Sequence, residues 1–219
     1  MNSIYIYGCG GFGREVLQII LDLRDAGQPV DCAGFLVDEG VSAPESVHGI
    51  PVISFGAEFR PTANAEFVIA IGSPRARRRI AAELRLRLQA RFAVLVHPRA
   101  WIGRNVRLGE GCVVCAGSAI TTDVVLHEHV HVNILTTIGH DTVVGGFATL
   151  SPGVNVSGNV HLGEGCEIGT GVSIIPGVSV GSWSTVGAGG AVIHSIPESS
   201  VAVGVPAKVV KQKEPEAKA

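Results

Sequence analysis

The chain has 219 residues, of which 46% are apolar, and its formal net charge at pH 7 is −2. This length suits one large domain or two small ones, and the weak charge without a basic stripe argues against nucleic acid as the main partner. No cationic leader precedes an apolar run and no stretch of about 18 apolar residues occurs, so we expect neither a signal peptide nor a membrane span. The 29 glycines follow no collagen-like period and predict many tight turns.

Residues 1–96 predict an α/β domain. Short β-rich runs and segments with apolar residues at helical spacing follow one another at 3–7, 13–23, 32–37, 66–71 and 75–90. This order is typical of a half-Rossmann βαβαβ unit around a parallel sheet.

A glycine-rich loop joins the first predicted strand to the first predicted helix. Gly8, Gly10 and Gly13 spell G-x-G-x-x-G, the spacing of a turn whose backbone N–H groups bind phosphate. Residues 1–96 leave room for one mononucleotide half, which favours a nucleoside diphosphate over NAD. Alternatively, these glycines serve only tight turns and a helix cap. The residues predicted to bind a nucleotide at this edge of the sheet are Gly8, Gly10, Gly11, Phe12, Gly13, Asp38, Gly72 and Ser73.

From residue 97 to 195 the sequence follows a strict period of six. Every sixth residue from Ile102 to Val192 is Ile, Leu or Val. This is the hexapeptide repeat of a parallel β-helix, in which three hexads close one triangular coil. Residues 196–219 leave the period, and we expect 196–212 to cap the last coil and the remaining tail to fray.

The five cysteines are odd in number and loosely spaced. Cys112 and Cys115 form a C-x-x-C pair, which could indicate zinc or redox chemistry. The repeat explains Cys112 and Cys166 more simply, because both fall at small inward positions. We therefore expect a cytoplasmic protein with reduced thiols.

One corner of the predicted β-helix carries the sequence "TTIGHDTVVGG", in which a histidine and an aspartate interrupt the aliphatic pattern. Ile138 points inward, so His140 lies two residues later at a corner and Asp141 follows it. A carboxylate beside an imidazole fixes its tautomer and increases its basicity. Gly158 lies one coil further on and leaves space for a ligand. The alternative is a solvated corner histidine.

The hexapeptide array resembles the left-handed β-helix acyltransferases. The glycine loop, the segment "NILTTIGHDTVVGGFATLSPGVNVSGNV" and "VGVPAK" together resemble the bacterial nucleotide-sugar acetyltransferases of the PglD type, over nearly the whole chain. That resemblance implies transfer of acetyl from acetyl-CoA to the 4-amino group of a UDP-, GDP- or dTDP-linked sugar. It implies direct attack, with neither a covalent enzyme intermediate nor a metal. It also implies a homotrimer whose acetyl-CoA grooves lie between adjacent β-helices.

The resemblance further implies roles for single residues. His140 matches the general base, Asp141 its acidic neighbour, and Asn133 a residue near the sugar. The residues expected at acetyl-CoA are Ser151, Gly158, Thr170, Ala188 and Lys208.

Two positions depart from the family pattern. Thr149 stands where some relatives have a second active-site histidine, so the contact to the acetyl oxygen must differ. Val37 precedes Asp38 where the family often has paired acids, which leaves the nucleobase open.

Three alternatives stay open. The family also includes sialic acid O-acetyltransferases, so the acceptor could be a sugar hydroxyl. The three histidines of "HEHVH" (127–131) could indicate a metalloenzyme of the γ-carbonic anhydrase kind, although we otherwise expect a hydrated outward face there. The third alternative is a trimeric scaffold without catalytic activity.

Overall fold

The computed structural model describes residues 2–213. The chain forms two compact units, Met1–Pro98 and Arg99–Ala219. Within residues 2–213, no helix has the length and apolar character that crossing a membrane requires.

The first unit is an α/β fold, as the sequence predicts, but its sheet is mixed rather than wholly parallel because one of its strands is antiparallel. Its elements in chain order are β1 (Asn2–Tyr7), α1 (Gly11–Asp25), β2 (Val30–Asp38), β3 (Ser46–Val47), β4 (Ile50–Phe55), β5 (Glu66–Ile69), α2 (Pro74–Leu88), β6 (Arg91–Phe92) and β7 (Leu95–Val96). The sheet has the order β3-β4-β2-β1-β5-β6, in which β3 is antiparallel to β4 and the other pairs are parallel. The carboxyl ends of β1, β2, β4 and β5 therefore meet at one edge.

Both helices begin at that edge for local reasons. Gly10 is the N-cap of α1 and offers no side-chain cap, so the first N–H groups of α1 stay available. The Ser73 hydroxyl caps α2 by accepting a hydrogen bond from the Ala76 N–H at 3.4 Å, and Pro74 fits the first helical position.

Between β2 and β5 the structure has two strands that the sequence pattern does not indicate. β4 pairs in parallel with β2, and the short β3 pairs with β4. The segment is hard to recognise because Pro51 lies inside β4 and Gly49 precedes it, and both residue types are rare in strand interiors.

The second unit is a parallel β-helix of two-residue strands that recur every six residues. These strands are β8 (Trp101–Ile102), β9 (Arg107–Leu108), β10 (Val113–Val114), β11 (Ala119–Ile120), β12 (Val125–Leu126), β13 (His131–Val132), β14 (Thr137–Ile138), β15 (Val143–Val144), β16 (Thr149–Leu150), β17 (Asn155–Val156), β18 (His161–Leu162), β19 (Glu167–Ile168), β20 (Ser173–Ile174), β21 (Ser179–Val180), β22 (Thr185–Val186) and β23 (Ala191–Val192).

Three faces result, because each strand pairs in parallel with the strand 18 residues later. The first face contains β8, β11, β14, β17, β20 and β23, and the second contains β9, β12, β15, β18 and β21. The third face contains β10, β13, β16, β19 and β22. This is the coil that the hexapeptide period predicts.

The inward positions form the core of the β-helix. The periodic Ile, Leu and Val side chains are buried from Val114 to Val192, whereas Ile102 and Leu108 in the first coil are partly exposed. Cys112 and Cys166 are fully buried at the small inward positions predicted for them. Burial raises the pKa of the Cys166 thiol to about 12.

A hairpin ends the third face. β24 (Ser200–Val203) pairs in parallel with β22, and β25 (Lys208–Gln212) pairs antiparallel with β24. The tail that we expect to fray lies outside the described residues from Glu214 onward.

Candidate functional site

His140 lies at the corner between the first and second faces, in the turn after β14. Its Nδ1 is 2.8 Å from Asp141 Oδ2, and both side chains are more than half exposed. Asp141 has φ of +57°, a left-handed conformation that aspartate tolerates, and its N–H donates to the Thr122 carbonyl one coil below. With the Nδ1 proton donated to Asp141, Nε2 holds the lone pair, and it lies beside Gly158 in a side chain that is more than half exposed. A base at this atom can therefore reach a ligand.

Gly158 lies directly against the imidazole, one coil above it. A Cβ at this position would be 2.6 Å from both Cε1 and Nε2 of His140. The Asn159 N–H donates to the His140 carbonyl at 2.8 Å, which fixes the two coils against each other. Glycine is therefore needed here to keep the imidazole in its position.

Asp123 also lies at this corner, although the hexapeptide pattern did not identify it as a site residue. Its carboxylate accepts hydrogen bonds from Asn105 Nδ2 at 2.9 Å and from Thr122 Oγ1 at 2.8 Å. These two hydrogen bonds, and in smaller measure the charge of His140, lower the pKa of Asp123. Counting one coil of 18 residues back from Asp141 would have found this second carboxylate.

The predicted acetyl-CoA residues, apart from Gly158, lie elsewhere on the β-helix. Ser151 follows β16 on the third face, and Thr170 and Ala188 are exposed one coil apart at the corner between the third and first faces. Lys208 is exposed at the start of β25. The first face thus separates these residues from His140 within one chain.

Asn133 and Thr149 also lie on the third face. The Asn133 side chain is half-buried, and its Nδ2 donates to the Leu150 carbonyl at 2.8 Å. Thr149 is partly exposed on β16. Neither residue is next to His140 along the coil, because β14 lies between Asn133 and His140 and β15 lies between His140 and Thr149.

The glycine loop divides into two pairs with different roles. Gly8 has φ of +106°, and a Cβ on Gly13 would lie 2.1 Å from the Gly8 carbonyl oxygen, so both glycines are required by the turn itself. Gly10 and Gly11 have open space where a Cβ would point. The loop therefore presents bare backbone at the start of α1, beside the partly exposed Phe12, and this arrangement can bind an anion.

Asp38 lies at the carboxyl end of β2, and both of its oxygens are engaged. The Tyr7 hydroxyl donates to Oδ1, and Arg79 Nη2 lies 3.3 Å from Oδ2. Burial, followed by the hydrogen bond to Asp38, holds the pKa of Tyr7 well above its usual range. Gly72 is exposed nearby on the chain before α2, and its carbonyl accepts from Arg77.

Comparison with known proteins gives the family. The sequence profile of the PglD N-terminal domain matches residues 3–84, and that of the hexapeptide repeat of succinyl-transferase matches 99–122 and 159–193. The acetyltransferase domain of PglB from Neisseria gonorrhoeae FA1090 is 30% identical, with a TM-score of 0.85 over 95% of this chain and 99% of that chain. The chain belongs to the PglD-type family of nucleotide-sugar acetyltransferases.

Two further relatives of this PglD-type chain are named for the nucleotide sugar GDP-perosamine or for the acetylation of perosamine. GDP-perosamine N-acetyltransferase of Escherichia coli O157:H7 is 27% identical over 172 residues, which cover 75% of this chain and 77% of that protein. A histidine-to-asparagine variant of perosamine N-acetyltransferase from Caulobacter crescentus, solved in complex with CoA and GDP-perosamine, is 31% identical with a TM-score of 0.85. The alignment covers 96% of this chain and 97% of that chain.

The hydrated face expected for "HEHVH" is wrong for two of its three histidines. His127 is exposed, but His129 and His131 are buried. His129 stacks on Phe147 with ring centroids 5.0 Å apart, and a Cβ on Gly111 would meet its ring, so it fills a corner of the fold. Within residues 2–213, no group of three or more His, Cys, Asp or Glu side chains is arranged to hold a metal ion.

Proposed function

We propose that this PglD-type enzyme transfers the acetyl group of acetyl-CoA to the 4-amino group of a nucleotide-linked amino-deoxy sugar, with His140 as general base. The observation that carries the proposal is the outward-facing His140–Asp141 pair packed on Gly158. The relatives named for GDP-perosamine, one of them solved with CoA, support the two substrates.

The chemistry follows from the geometry of the corner. The sugar amine attacks the thioester carbonyl carbon, and His140 Nε2 takes the proton that the amine loses as it becomes cationic. The Gly158 N–H is the proposed donor to the developing oxyanion. The tetrahedral intermediate then collapses to the amide, and the departing CoA thiolate takes the proton from the imidazolium. The carboxylates of Asp141 and Asp123 favour the imidazolium while it exists.

We propose a homotrimer, because one chain separates the two halves of the site. His140 lies at one edge of the first face, whereas Ser151, Thr170 and Ala188 lie beyond the opposite edge. A neighbouring β-helix would bring the second set to the first, with Lys208 in reach of a CoA phosphate and Asn133 near the sugar. Exposed apolar side chains at Trp101, Ile175 and Ile193 support such packing, since all three belong to or directly follow strands of the first face.

The first unit would hold the nucleotide. The open N–H groups at Gly10 and Gly11 suit the diphosphate, and Asp38 is placed for the ribose. Gly72 and Ser73 lie at the end of the adjacent strand β5 and complete the edge. We place the reaction in the cytoplasm, because four of the five cysteines are buried and none of the five forms a disulfide.

An acetyl-transfer assay tests the proposal. Purified protein is incubated with acetyl-CoA and with GDP-, UDP- and dTDP-linked 4-amino sugars, and thiol release and product mass are followed. The same nucleotide sugars carrying a 4-hydroxyl separate N- from O-acetylation.

We expect acetylation of an amino sugar, and a turnover rate that falls by roughly two to four orders of magnitude in His140→Ala. His161→Ala is the matched control, because His161 is also exposed on the β-helix but lies outside this corner. Near-wild-type turnover in His140→Ala would show that the amine loses its proton to water. Transfer to the hydroxyl analogues alone would replace the N-acetyltransferase by an O-acetyltransferase.

A further inference from the structure

A cleft opens in the first unit beside the carboxyl ends of β2 and β4. It is open to solvent and has a volume of about 570 Å³, which is typical of small-molecule sites. The residues that line it are Glu39, Ala57, Phe59, Arg60, Arg87 and Leu88.

The position of the cleft matches one end of a nucleotide. Asp38 pairs in register with Phe55, so β4 lies one strand beyond Asp38 and two strands beyond Gly8 at the end of β1. Two strand spacings amount to about 10 Å. A nucleoside diphosphate bound at Gly10 and Gly11, with its ribose at Asp38, would therefore extend its base toward the cleft.

Glu39 provides an available carboxylate in this cleft. The side chain lies over Gly56, where a Cβ would be 3.2 Å from the carboxyl carbon and 3.3 Å from both oxygens. Among residues 2–213 it forms no hydrogen bond and no ion pair. Both carboxylate oxygens can therefore accept hydrogen bonds from a ligand.

Two arginines bound the cleft, and one of them keeps donors available. Arg87 is fixed by Glu83 at 2.8 Å and by the Gly56 carbonyl at 2.7 Å, and its guanidinium lies 4.0 Å from the Phe55 ring centroid. Arg60 uses only Nη1, which donates to the carbonyls of Ala57 and Phe59. The Nη2 and Nε groups of Arg60 make no hydrogen bond to any described residue, so they can donate to a ligand.

This pairing of acceptor and donor distinguishes the bases. Guanine presents two adjacent donors, N1–H and N2–H, that match a carboxylate, and two acceptors, O6 and N7, that match an arginine fork. Uracil and thymine have a single N–H flanked by two carbonyl oxygens, which a carboxylate repels. We propose that the cleft is the nucleobase subsite and that Glu39 selects guanine, with Arg60 at the O6/N7 edge. This inference rests on the proposed nucleotide-sugar substrate and names its nucleotide as GDP.

Calorimetric titration of the full chain with GDP, IDP, UDP and dTDP tests the inference without any acetyl transfer. We expect GDP to bind roughly tenfold or more tightly than UDP and dTDP, and than IDP, which lacks the N2 amino group. In Glu39→Gln, GDP binding should weaken by a similar factor while UDP binding stays unchanged. Glu58→Gln is the matched control, since Glu58 is an exposed glutamate in the loop after β4, between Ala57 and Phe59, but does not line the cleft.

Two other sets of results would contradict the inference, and they are distinguishable. Tighter binding of UDP or dTDP, equal binding of GDP and IDP, or equal weakening of all nucleotides in Glu39→Gln would overturn guanine selection by Glu39 and leave the acetyltransferase proposal standing. Failure of all four nucleotides to bind would overturn both.

Discussion

At the scale of single residues, His140 combines a fixed orientation with exposure. Asp141 holds its Nδ1, Gly158 lies against its ring from the coil above, and the coil needs no side chain at this corner for its core. Loss of the imidazole should therefore affect chemistry far more than folding. Asp123 has the same left-handed backbone conformation as Asp141, with φ of +57° at both residues. The same turn therefore places a carboxylate at this corner in two successive coils.

We expect Gly158→Ala to reduce turnover while leaving the melting temperature within a few degrees. The added methyl group would meet the exposed imidazole at 2.6 Å and displace it, and a misplacement of about 1 Å can cost roughly 10²-fold in rate. Steady-state kinetics of Gly158→Ala, His140→Ala and the double variant measure this effect. The double variant should be no slower than His140→Ala, because the imidazole that the methyl group would displace is absent from both. A further loss in the double variant would show that Gly158 acts independently of His140.

The buried Cys166 thiol predicts a pH dependence of stability. In the unfolded chain a thiol ionises above about pH 8.5, whereas burial raises the pKa of Cys166 to about 12 in the folded chain. The folded state then keeps a proton that the unfolded state loses, so the free energy of unfolding must fall as pH rises above 8.5. Between pH 8 and 10, urea unfolding should show a loss about 2 kcal/mol larger in wild type than in Cys166→Ala. Cys9→Ala, at a partly exposed site, serves as control, and equal losses in wild type and Cys166→Ala would contradict the prediction.

At the scale of elements, each β-helix strand is too short to be stable alone. Two residues per strand gain their hydrogen bonds only from the strands 18 residues before and after them. The aliphatic ladder inside the coil must therefore supply cohesion, as in other repeat proteins whose neighbours bury each other. A charge inside this ladder should be far more harmful than one on its outer surface.

Val143 and Val144 test this difference within one strand. We expect Val144→Asp to give no soluble folded protein, because Val144 is fully buried and an unpaired carboxylate there lacks any compensating group. Val143→Asp, at the partly exposed outward position of β15, should express and fold with a much smaller loss. Soluble expression, circular dichroism and thermal melting compare the two. A folded Val144→Asp with wild-type melting would contradict the inward register.

The period of six explains why the β-helix could be predicted in detail from the sequence. It fixes which residues point inward and hence that His140 lies at a corner next to Asp141. The period does not predict which residues an outward side chain contacts. The burial of His129 and His131 could therefore not be predicted from it. The ring of His129 packs between Gly111 and Phe147, which are one coil away on either side.

The first unit was less predictable because its partners are distant in sequence. The glycine loop and its helix are local and follow from spacing. Asp38 contacts Tyr7 and Arg79 because of the order of the strands in the sheet, and that order cannot be read from a single sequence. The cleft at Glu39 also depends on β4, whose Pro51 conceals the strand.

At the scale of the whole molecule, we propose that the two substrates bind to different surfaces. The first unit has the glycine loop proposed for the nucleotide, and the β-helix has the histidine corner and the exposed corner of Thr170 and Ala188. Those two corners lie on opposite edges of the first face, so the strands of that face separate them within one chain. A threefold assembly would repeat the junction between neighbouring β-helices three times.

Subunit mixing tests this arrangement. His140→Ala removes the proposed base, and Ala188→Trp places a bulky side chain at an exposed corner position. Each variant alone should therefore be inactive but folded. If each site takes His140 from one subunit and Ala188 from its neighbour, every mixed trimer contains one intact site. Random mixing of equal amounts makes three quarters of the trimers mixed, so co-expression should restore about a quarter of wild-type activity. Light scattering should give the mass of a trimer in every sample. No recovery in mixed trimers would place both residues of a site in the same subunit, and a monomeric mass would exclude the shared site altogether.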